Sequence, residues 1–187
     1  ETMFPNGQIT RRDALMFVSF DQAINPEAVL RNISVSGGGK KLPVRLATQT
    51  EIDADGSISY YSKQAQPGRW LAFRGVNSDG LPANALPAAS GISVTIEKGT
   101  PSAEGPLTTV AAQSFGFQTY GPMKFTGAYC GWRENKNCSP FEGWNIEFTN
   151  NIDSSKFTKE MVKIDPPVDI TEAMVEREPV TILVSEK

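Results

Sequence analysis

Short stretches in which apolar and polar residues alternate run along most of the chain. The clearest is residues 91–97, where Ile92, Val94 and Ile96 share one face and polar side chains share the other. This period of two is typical of a strand with one buried face. Comparable stretches, bounded by Gly and Pro, are residues 14–20, 32–36, 42–46, 58–61, 69–73 and 112–120. We therefore predict a strand at each of these positions.

Very little of the chain predicts helix. Residues 25–30 are typical of a short helical turn, because Asn25 can cap it and Pro26 suits its first position. Residues 53–56 predict the tip of a polar hairpin, and the three glycines at 37–39 predict a break after a strand. Short strands at this spacing, with almost no helix, indicate an all-β fold of antiparallel immunoglobulin-like β-sandwich type.

One hydrophobic pattern occurs twice in the chain. Phe20 recurs as Phe148 at an offset of 128 residues, and Ile33 recurs as Val162 at an offset of 129. The further matches are Ile24 with Ile152, Asn25 with Asp153, Val29 with Phe157 and Val35 with Ile164. A self-match at a fixed period is the signature of a repeated structural unit.

A Gly-Pro pair directly after Tyr120 marks the best boundary between the two copies. We predict a nearly complete sandwich domain at residues 1–121 and a truncated second copy at residues 122–187. At an offset of 128, the strand that begins at Met123 has no counterpart in the first copy, and Lys187 corresponds to about position 58 or 59. We therefore expect that the first copy lacks its opening strand and that the second stops near its middle.

Composition and charge narrow the function classes. The 187 residues carry a net charge of −3 and are 39% hydrophobic and 21% charged, as in an ordinary folded domain. This charge gives no reason to expect nucleic acid or an acidic membrane surface as a partner. The chain begins without Met, so we expect it to be a piece of a longer protein, in which a membrane anchor would lie elsewhere.

The chain contains no histidine, which removes the commonest general base and the commonest zinc ligand. Carboxylate pairs such as Asp153 with Glu160 are explained by solvated surface charge. We predict no catalytic residue, no metal site and no cofactor.

The two cysteines, Cys130 and Cys138, enclose a polar segment of seven residues. We predict a local disulfide between them if the compartment is oxidising, and two free thiols if it is not. Trp132 lies inside this segment and either packs on the disulfide or is an exposed contact at a domain interface. Tyr120, at the predicted boundary, is a second possible interface residue.

Three other motifs have a functional and a structural interpretation. Asp53 and Asp55 resemble the start of a calcium loop, although the later ligands are missing and a hairpin tip explains them better. The Gly-rich segment 37–41 could bind phosphate, but it lacks the Walker pattern and is better explained as a strand connection. Four aromatic residues could form a carbohydrate platform, although their strand spacing favours the core: Trp70, Phe73, Phe115 and Phe117.

Three segments carry a family resemblance. In residues 91–107, a predicted strand is followed by Lys-Gly-Thr and then by a loop that contains Gly. In residues 113–122, the next predicted strand ends with Phe-Gln-Thr-Tyr-Gly-Pro. Residues 20–26 read Phe-Asp-Gln-Ala-Ile-Asn-Pro. Together they resemble the N-terminal region of bacterial alpha-2-macroglobulins, and similar sequences occur in bacterial immunoglobulin-like surface domains.

The resemblance implies a role in a protease trap of the periplasm or cell envelope. In this family a protease cleaves a bait region, and a thioester formed from Cys and Gln then captures the protease. Neither Cys130 nor Cys138 is followed by the Glu-Gln of the thioester motif, and no bait segment is recognisable. The resemblance therefore implies a non-catalytic scaffold segment whose partners are other domains of the parent chain and, through the full-length protein, target proteases. A periplasmic location would favour the disulfide, because that compartment is oxidising.

Two other function classes stay open. The chain could be an immunoglobulin-like repeat of a bacterial surface adhesin that binds glycan or protein, and further copies of the unit would favour that interpretation. A glycan-active enzyme with an accessory β domain is disfavoured by the lack of histidine and of a marked acid pair.

Overall fold

A computed structural model describes residues 2–130, 144–153, 156–162, 170–176 and 181–186. These residues are mostly β-strand, with a few short helices, as the alternating pattern predicts. The chain divides into two compact units, residues 1–120 and 121–187. The assignment of immunoglobulin-like domains to residues 1–121 and 122–187 stays a prediction, and each unit is described by itself.

The first unit contains two sheets. Its strands are β1 (Met3–Phe4), β2 (Ile9–Thr10), β3 (Leu15–Ser19), β4 (Ile33–Gly37), β5 (Lys40–Leu42), β6 (Val44–Leu46), β7 (Trp70–Gly75), β8 (Gly91–Ile96) and β9 (Gln113–Thr119). One sheet has the order β1-β3-β7-β6 and is antiparallel throughout. The other has the order β2-β9-β8-β4-β5, in which only the β2–β9 pair is parallel. The strands predicted at residues 14–20, 32–36, 69–73, 91–97 and 112–120 are confirmed.

The main core of this unit draws side chains from both sheets. Alternate residues of β8 are buried, as predicted, and so are Phe115 and Phe117 of β9. The four-stranded sheet contributes Met16, Val18, Leu71 and Phe73 to the same cluster. The helical turn predicted at 25–30 is confirmed as α1 (Pro26–Leu30), which adds the fully buried Val29.

Helices cover the other face of the four-stranded sheet. These are α2 (Gln49–Ala54) and α3 (Gly56–Gln64), whose Ile52 and Ile58 pack with Leu15, Phe17 and Ala72. Because both faces are covered, residues Leu15 to Val18 of β3 are all buried, so the strand does not show the alternating exposure that was predicted.

The strand predicted at residues 58–61 is therefore wrong, and so is the hairpin tip predicted at residues 53–56. Thr48 forms a capping box with Glu51, and the Asp55 side chain accepts from the backbone N–H groups of Ser57 and Ile58 at 3.1 Å each. These local bonds satisfy the first N–H groups of each helix and outweigh the strand preference of Ile58, Tyr60 and Tyr61.

Residues 42–46 are also not one strand. Lys40–Leu42 pairs with β4 in the five-stranded sheet, whereas Val44–Leu46 pairs with β7 in the four-stranded sheet. The chain changes sheets at Pro43, which has no N–H to donate to either ladder. Arg45 lies on the opposite face to Val44 and Leu46, which pack against the main core.

The second unit contains one sheet among its described residues. Its strands are β10 (Phe125–Cys130), β11 (Trp144–Phe148), β12 (Ile170–Glu176) and β13 (Thr181–Glu186), and Lys159–Met161 forms a 3₁₀ turn. The order is β10-β11-β13-β12, antiparallel throughout. This order repeats β1-β3-β7-β6 of the first unit strand for strand.

The register shows that the first copy has its opening strand. Met3 pairs with Val18, and Ala128 pairs with Ile146. Val18 and Ile146 are equivalent at the offset of 128, so β1 is the counterpart of β10. The expectation that the first copy lacks this strand is wrong because the connection to the next strand differs in length, residues 5–14 against residues 131–143.

The register also corrects the position at which the second copy stops. Leu71 pairs with Val18, and Ile182 pairs with Ile146, so β13 is the counterpart of β7 and Glu186 corresponds to Gly75. The predicted equivalence of Lys187 with position 58 or 59 is wrong. Residues 47–69, which include α2 and α3, separate β6 from β7, whereas only residues 177–180 separate β12 from β13.

Candidate functional site

The predicted disulfide falls partly outside the described residues. Cys130 ends β10 and is buried. Cys138 and Trp132 lie outside the described part of the chain, so the Cys130–Cys138 pairing and the role of Trp132 stay predictions. Tyr120 is half-buried at the end of the first unit. Its backbone N–H donates to Thr10 at 3.0 Å and its carbonyl accepts from Ala89 at 3.2 Å. Its role at an interface stays a prediction.

Glu51 is the centre of a cluster of charged side chains in the first unit. Its carboxylate accepts from Arg45 Nη1 at 2.8 Å and Nη2 at 2.6 Å, from Arg74 Nη1 at 2.8 Å, and from the backbone N–H of Thr48 at 2.9 Å. The hydrogen bonds from Arg45, then those from Thr48 and Arg74, hold the pKa of Glu51 far below its ordinary value. The same contact with Glu51 raises the pKa of Arg45.

This cluster is structural in character. Arg74 is buried and also donates to the carbonyl of Asp13, so the cluster joins β6, β7, α2 and the residues before β3. Since four donors occupy the Glu51 carboxylate and lower its pKa, it is a poor proton acceptor for catalysis. Sequence reasoning missed the cluster, although Thr48 followed three residues later by Glu51 is a recognisable capping box.

The calcium and phosphate interpretations find no support in the geometry. Asp55 Oδ1 is occupied in capping α3, and Asp53 accepts from the side chain of Gln49 at 2.8 Å. No group of three or more acidic or Cys side chains in the described residues is placed to hold a metal ion. The Gly segment forms a two-residue hairpin between β4 and β5, in which Gly38 and Gly39 have φ values of 58° and 76°. It is a strand connection, as expected.

The four aromatic residues do not form a shared platform. Phe73, Phe115 and Phe117 are buried in the main core, as their spacing favours. Trp70 lies on the opposite face of the four-stranded sheet, where its ring is 5.5 Å from that of Phe17. The carbohydrate-platform interpretation is therefore wrong for this set.

A groove of about 350 Å³ lies at one end of the first unit. Its lining includes Phe20 and Asp21 after β3, together with Leu107 and Val110 before β9. Leu107 and Val110 are exposed apolar residues. The groove has mixed polar and apolar walls, as protein surfaces that bind ligands often do.

A larger groove of about 550 Å³ lies in the second unit and is mainly apolar. Ile146 and Phe148 of β11 line it, together with Ile152, Phe157 and Val162 from the following segment, and the polar residues on its wall are Asn151, Asp153 and Lys156. Met123 and Met161 also line it and are 57% and 67% exposed. We call this surface the apolar groove.

On β10 and β11, the opposite face of the same sheet carries polar side chains. Asn145 stands where the first unit has Phe17, which packs beneath α3 against Tyr61 at a ring distance of 5.8 Å. On the same face, Tyr129 donates to Glu147 at 3.3 Å. This polarity agrees with the short β12–β13 connection, which leaves no room for the two helices that cover this face in the first unit.

Comparison with known proteins gives a partial match. No protein-family model matches the chain. Over 118 residues it is 30% identical to circularly permutated Ras protein 2 of Dictyostelium discoideum, a match that covers 60% of this chain. The chain spans about 3% of that protein's length. Every helix in the described part of the chain is too short or too polar to cross a bilayer.

Proposed function

We propose that this chain is a non-catalytic scaffold segment of a bacterial alpha-2-macroglobulin-like endopeptidase inhibitor. The work of such a segment is mechanical, because rigid β domains hold distant reactive parts of a longer protein in position. The observation that carries the scaffold role is the repeated four-stranded sheet, which has the same strand order in both units.

The strand order supports immunoglobulin-like domains. If β1, β3, β6 and β7 are strands A, B, D and E, the four-stranded sheet has the order A-B-E-D. The strands β4, β8 and β9 then take the places of C, F and G in the facing sheet. Both sheets contribute to one core, as in an aligned sandwich.

The structural hydrogen bonds made by Glu51 and Asp55 support a non-catalytic role. Glu51 is saturated by hydrogen bonds, and Asp55 is used as a helix cap. The sequence has no histidine to act as a general base. The resemblance to protease traps rests on the Lys-Gly-Thr turn and the Phe-Gln-Thr-Tyr-Gly-Pro strand. Because that family is periplasmic or bound to the cell envelope, the proposal includes the same location for this chain.

The test uses the longest natural polypeptide that contains this sequence. Methylamine attacks the carbonyl of a thioester, which forms an amide and releases the cysteine thiol. The proposal predicts methylamine incorporation with release of one thiol in that polypeptide, and neither event in the 187-residue chain. If the long polypeptide neither incorporates methylamine nor retains a protease after cleavage, the trap assignment fails and the scaffold role alone is left.

The groove at Leu107 and Val110 favours one second candidate, a surface repeat that binds protein or glycan. Exposed apolar side chains beside polar walls suit such a ligand. Binding to a glycan or cell-surface array that is lost in Val110→Asp and kept in Met161→Asp would favour this function over the scaffold.

A further inference from the structure

We propose that residues 110–112 are a proteolytic modification site, cut by endopeptidases whose S1 pocket takes small aliphatic side chains. The bonds that are cut are those that follow Val110 and Ala111. The proposal goes beyond the scaffold role and does not depend on the resemblance to protease traps. It rests on the first unit alone, in which every residue from 2 to 120 is described.

The side chains of residues 110–112 are open to solvent. Val110 is 87% exposed, and Ala111 and Ala112 are exposed as well. No residue between Thr100 and Phe115 is buried. A protease that draws this segment out of the surface therefore removes no side chain from the core.

The backbone of the same three residues makes no hydrogen bond within the described part of the chain. The residues on either side are held in place. The N–H of Thr109 donates to the carbonyl of Thr100 at 3.0 Å, and Gln113 pairs with Ile96 at the start of β9. An extended peptide is recognised through its main-chain hydrogen bonds, so unused N–H and C=O groups favour binding by a protease.

Exposure alone does not distinguish this segment. Leu81 is 56% exposed, but its N–H donates to Asn77 Oδ1 at 2.9 Å and its carbonyl accepts from the Asn77 N–H at 2.8 Å. Leu107 is 64% exposed, but its carbonyl accepts from the N–H of Ser102 at 3.1 Å. Residues 110–112 combine exposure with a free backbone. Segments of this kind open locally at low cost, and the population of the open form sets the rate of proteolysis.

The residue types in the segment determine the class of protease. Residues 99–123 contain neither Lys nor Arg, so an S1 pocket built for a basic side chain finds no substrate there. Residues 99–114 contain no aromatic side chain, and Phe115 and Phe117 are buried. The aliphatic side chains of Val110 and Ala111 suit the small S1 pocket of elastase-type enzymes.

The cut changes the charge of the groove in the first unit. Hydrolysis after Val110 breaks its C–N bond to Ala111 and consumes one water molecule. The water oxygen joins the new carboxylate of Val110, and both water protons end on or are exchanged through the new ammonium group of Ala111. Both residues line the groove, in which Asp21 is the only charged residue among the described residues of the lining. The cut therefore adds one anionic and one cationic group to a nearly neutral surface.

The two fragments are expected to stay in one folded unit. The cut lies before β9, which stays paired with β8 on one side and with β2 on the other. Phe115 and Phe117 of β9 also stay in the main core. The modification therefore alters the surface of the unit and keeps its fold.

The test is limited proteolysis of the full chain by pancreatic elastase, with mass spectrometry of the products at short times. Within the first unit, we expect new N-termini at Ala111 and Ala112 before any other. The fragments should elute together in gel filtration under native conditions and separate in denaturant.

Ala111→Pro is the test variant, because Ala111 contributes to both bonds and its N–H makes no hydrogen bond that Pro would remove. We expect its fragments to appear at least about tenfold more slowly. Val110→Ala is the matched control, since it keeps a small aliphatic side chain and should be cut like the unaltered chain. Amide exchange of β8 shows whether Ala111→Pro folds, and Val110→Asp combined with Ala111→Asp replaces it if it does not.

Three results would overturn the proposal. The first is a first unit that elastase leaves intact or cuts earlier at another position. The second is cleavage of the folded test variant at the rate of the unaltered chain. The third is separation of the fragments under native conditions, which would show that the cut unfolds the unit. The methylamine test of the trap assignment is separate, so failure of either proposal leaves the other in place.

Discussion

Ile146 occupies in β11 the position that Val18 occupies in β3. Each lies on an inner strand of its four-stranded sheet. Ile182 of β13 is the partner of Ile146, and Leu71 of β7 is the partner of Val18. Val18 is sealed in the core between two sheets, whereas Ile146 lines an open groove. The same position in the same sheet is therefore fully buried in one unit and half-buried in the described part of the other.

This difference predicts unequal costs for the same truncation. Val18→Ala should destabilise the first unit by about 2–3 kcal/mol, because it leaves a cavity in a closed core. Ile146→Ala should cost the second unit about 1 kcal/mol or less, because the groove is already open to water. Hydrogen exchange of peptides from β3 and β11 measures each loss in its own unit. A larger loss for Ile146→Ala would mean that the groove is closed in solution.

The cluster around Glu51 predicts a second effect. Glu51→Gln should destabilise the first unit by about 2–4 kcal/mol, because Arg74 stays buried without its charged partner. Asp53→Asn is the matched control on the same helix. Its hydrogen bond is with Gln49 of that helix, so the variant leaves the contacts of Arg74 unchanged. Urea unfolding of the two variants measures the difference. Equal stability of the two would show that the cluster contributes nothing.

The low pKa of Glu51 sets the direction of the pH dependence. Its ordinary value is 4.5, and its value in the folded state lies below that. The unfolded chain therefore binds this proton first as the pH falls through about 4.5, so the stabilisation is complete above that pH and is lost progressively below it. We expect acid unfolding of the first unit to be less steep in Glu51→Gln. Identical acid profiles for the variant and the unaltered chain would contradict this.

The cap at Asp55 predicts a local effect. Asp55→Ala should cost about 1 kcal/mol, because two N–H groups at the start of α3 lose their acceptor. The amides of α3 should exchange faster while those of β8 do not change. Asp53→Ala, two residues earlier, should leave α3 exchange unaltered. If both variants speed exchange in α3 equally, the cap is not the cause.

The parts of the fold that follow from local pattern were predictable. The alternation of Ile92, Val94 and Ile96 identified β8 and its buried face, and Asn25 with Pro26 identified α1. Residues 56–64 were not predicted as helix because their tyrosines favour strands, whereas the caps at Thr48 and Asp55 determine the outcome. A capping bond depends on one side chain. A secondary-structure prediction that averages the propensities of all residues in a segment therefore gives it little weight.

The repeat was recognisable from sequence, but its extent was not. A constant offset ignores insertions, and the helical segment at residues 47–69 shifts every later equivalence. The apolar groove could not be predicted from the sequence for a related reason. Phe148 and Phe157 look like core residues, and only the set of described strands shows that their face is open.

Strand pairing in the second unit, measured by backbone NOEs on the labelled chain, tests the repetition of the four-stranded sheet most directly. The repeat predicts that β13 lies between β11 and β12, with contacts of Leu183 to both Asn145 and Met174. Contacts of β12 directly with β11, or no contacts of β13 with β11, would contradict the equivalence of the two units.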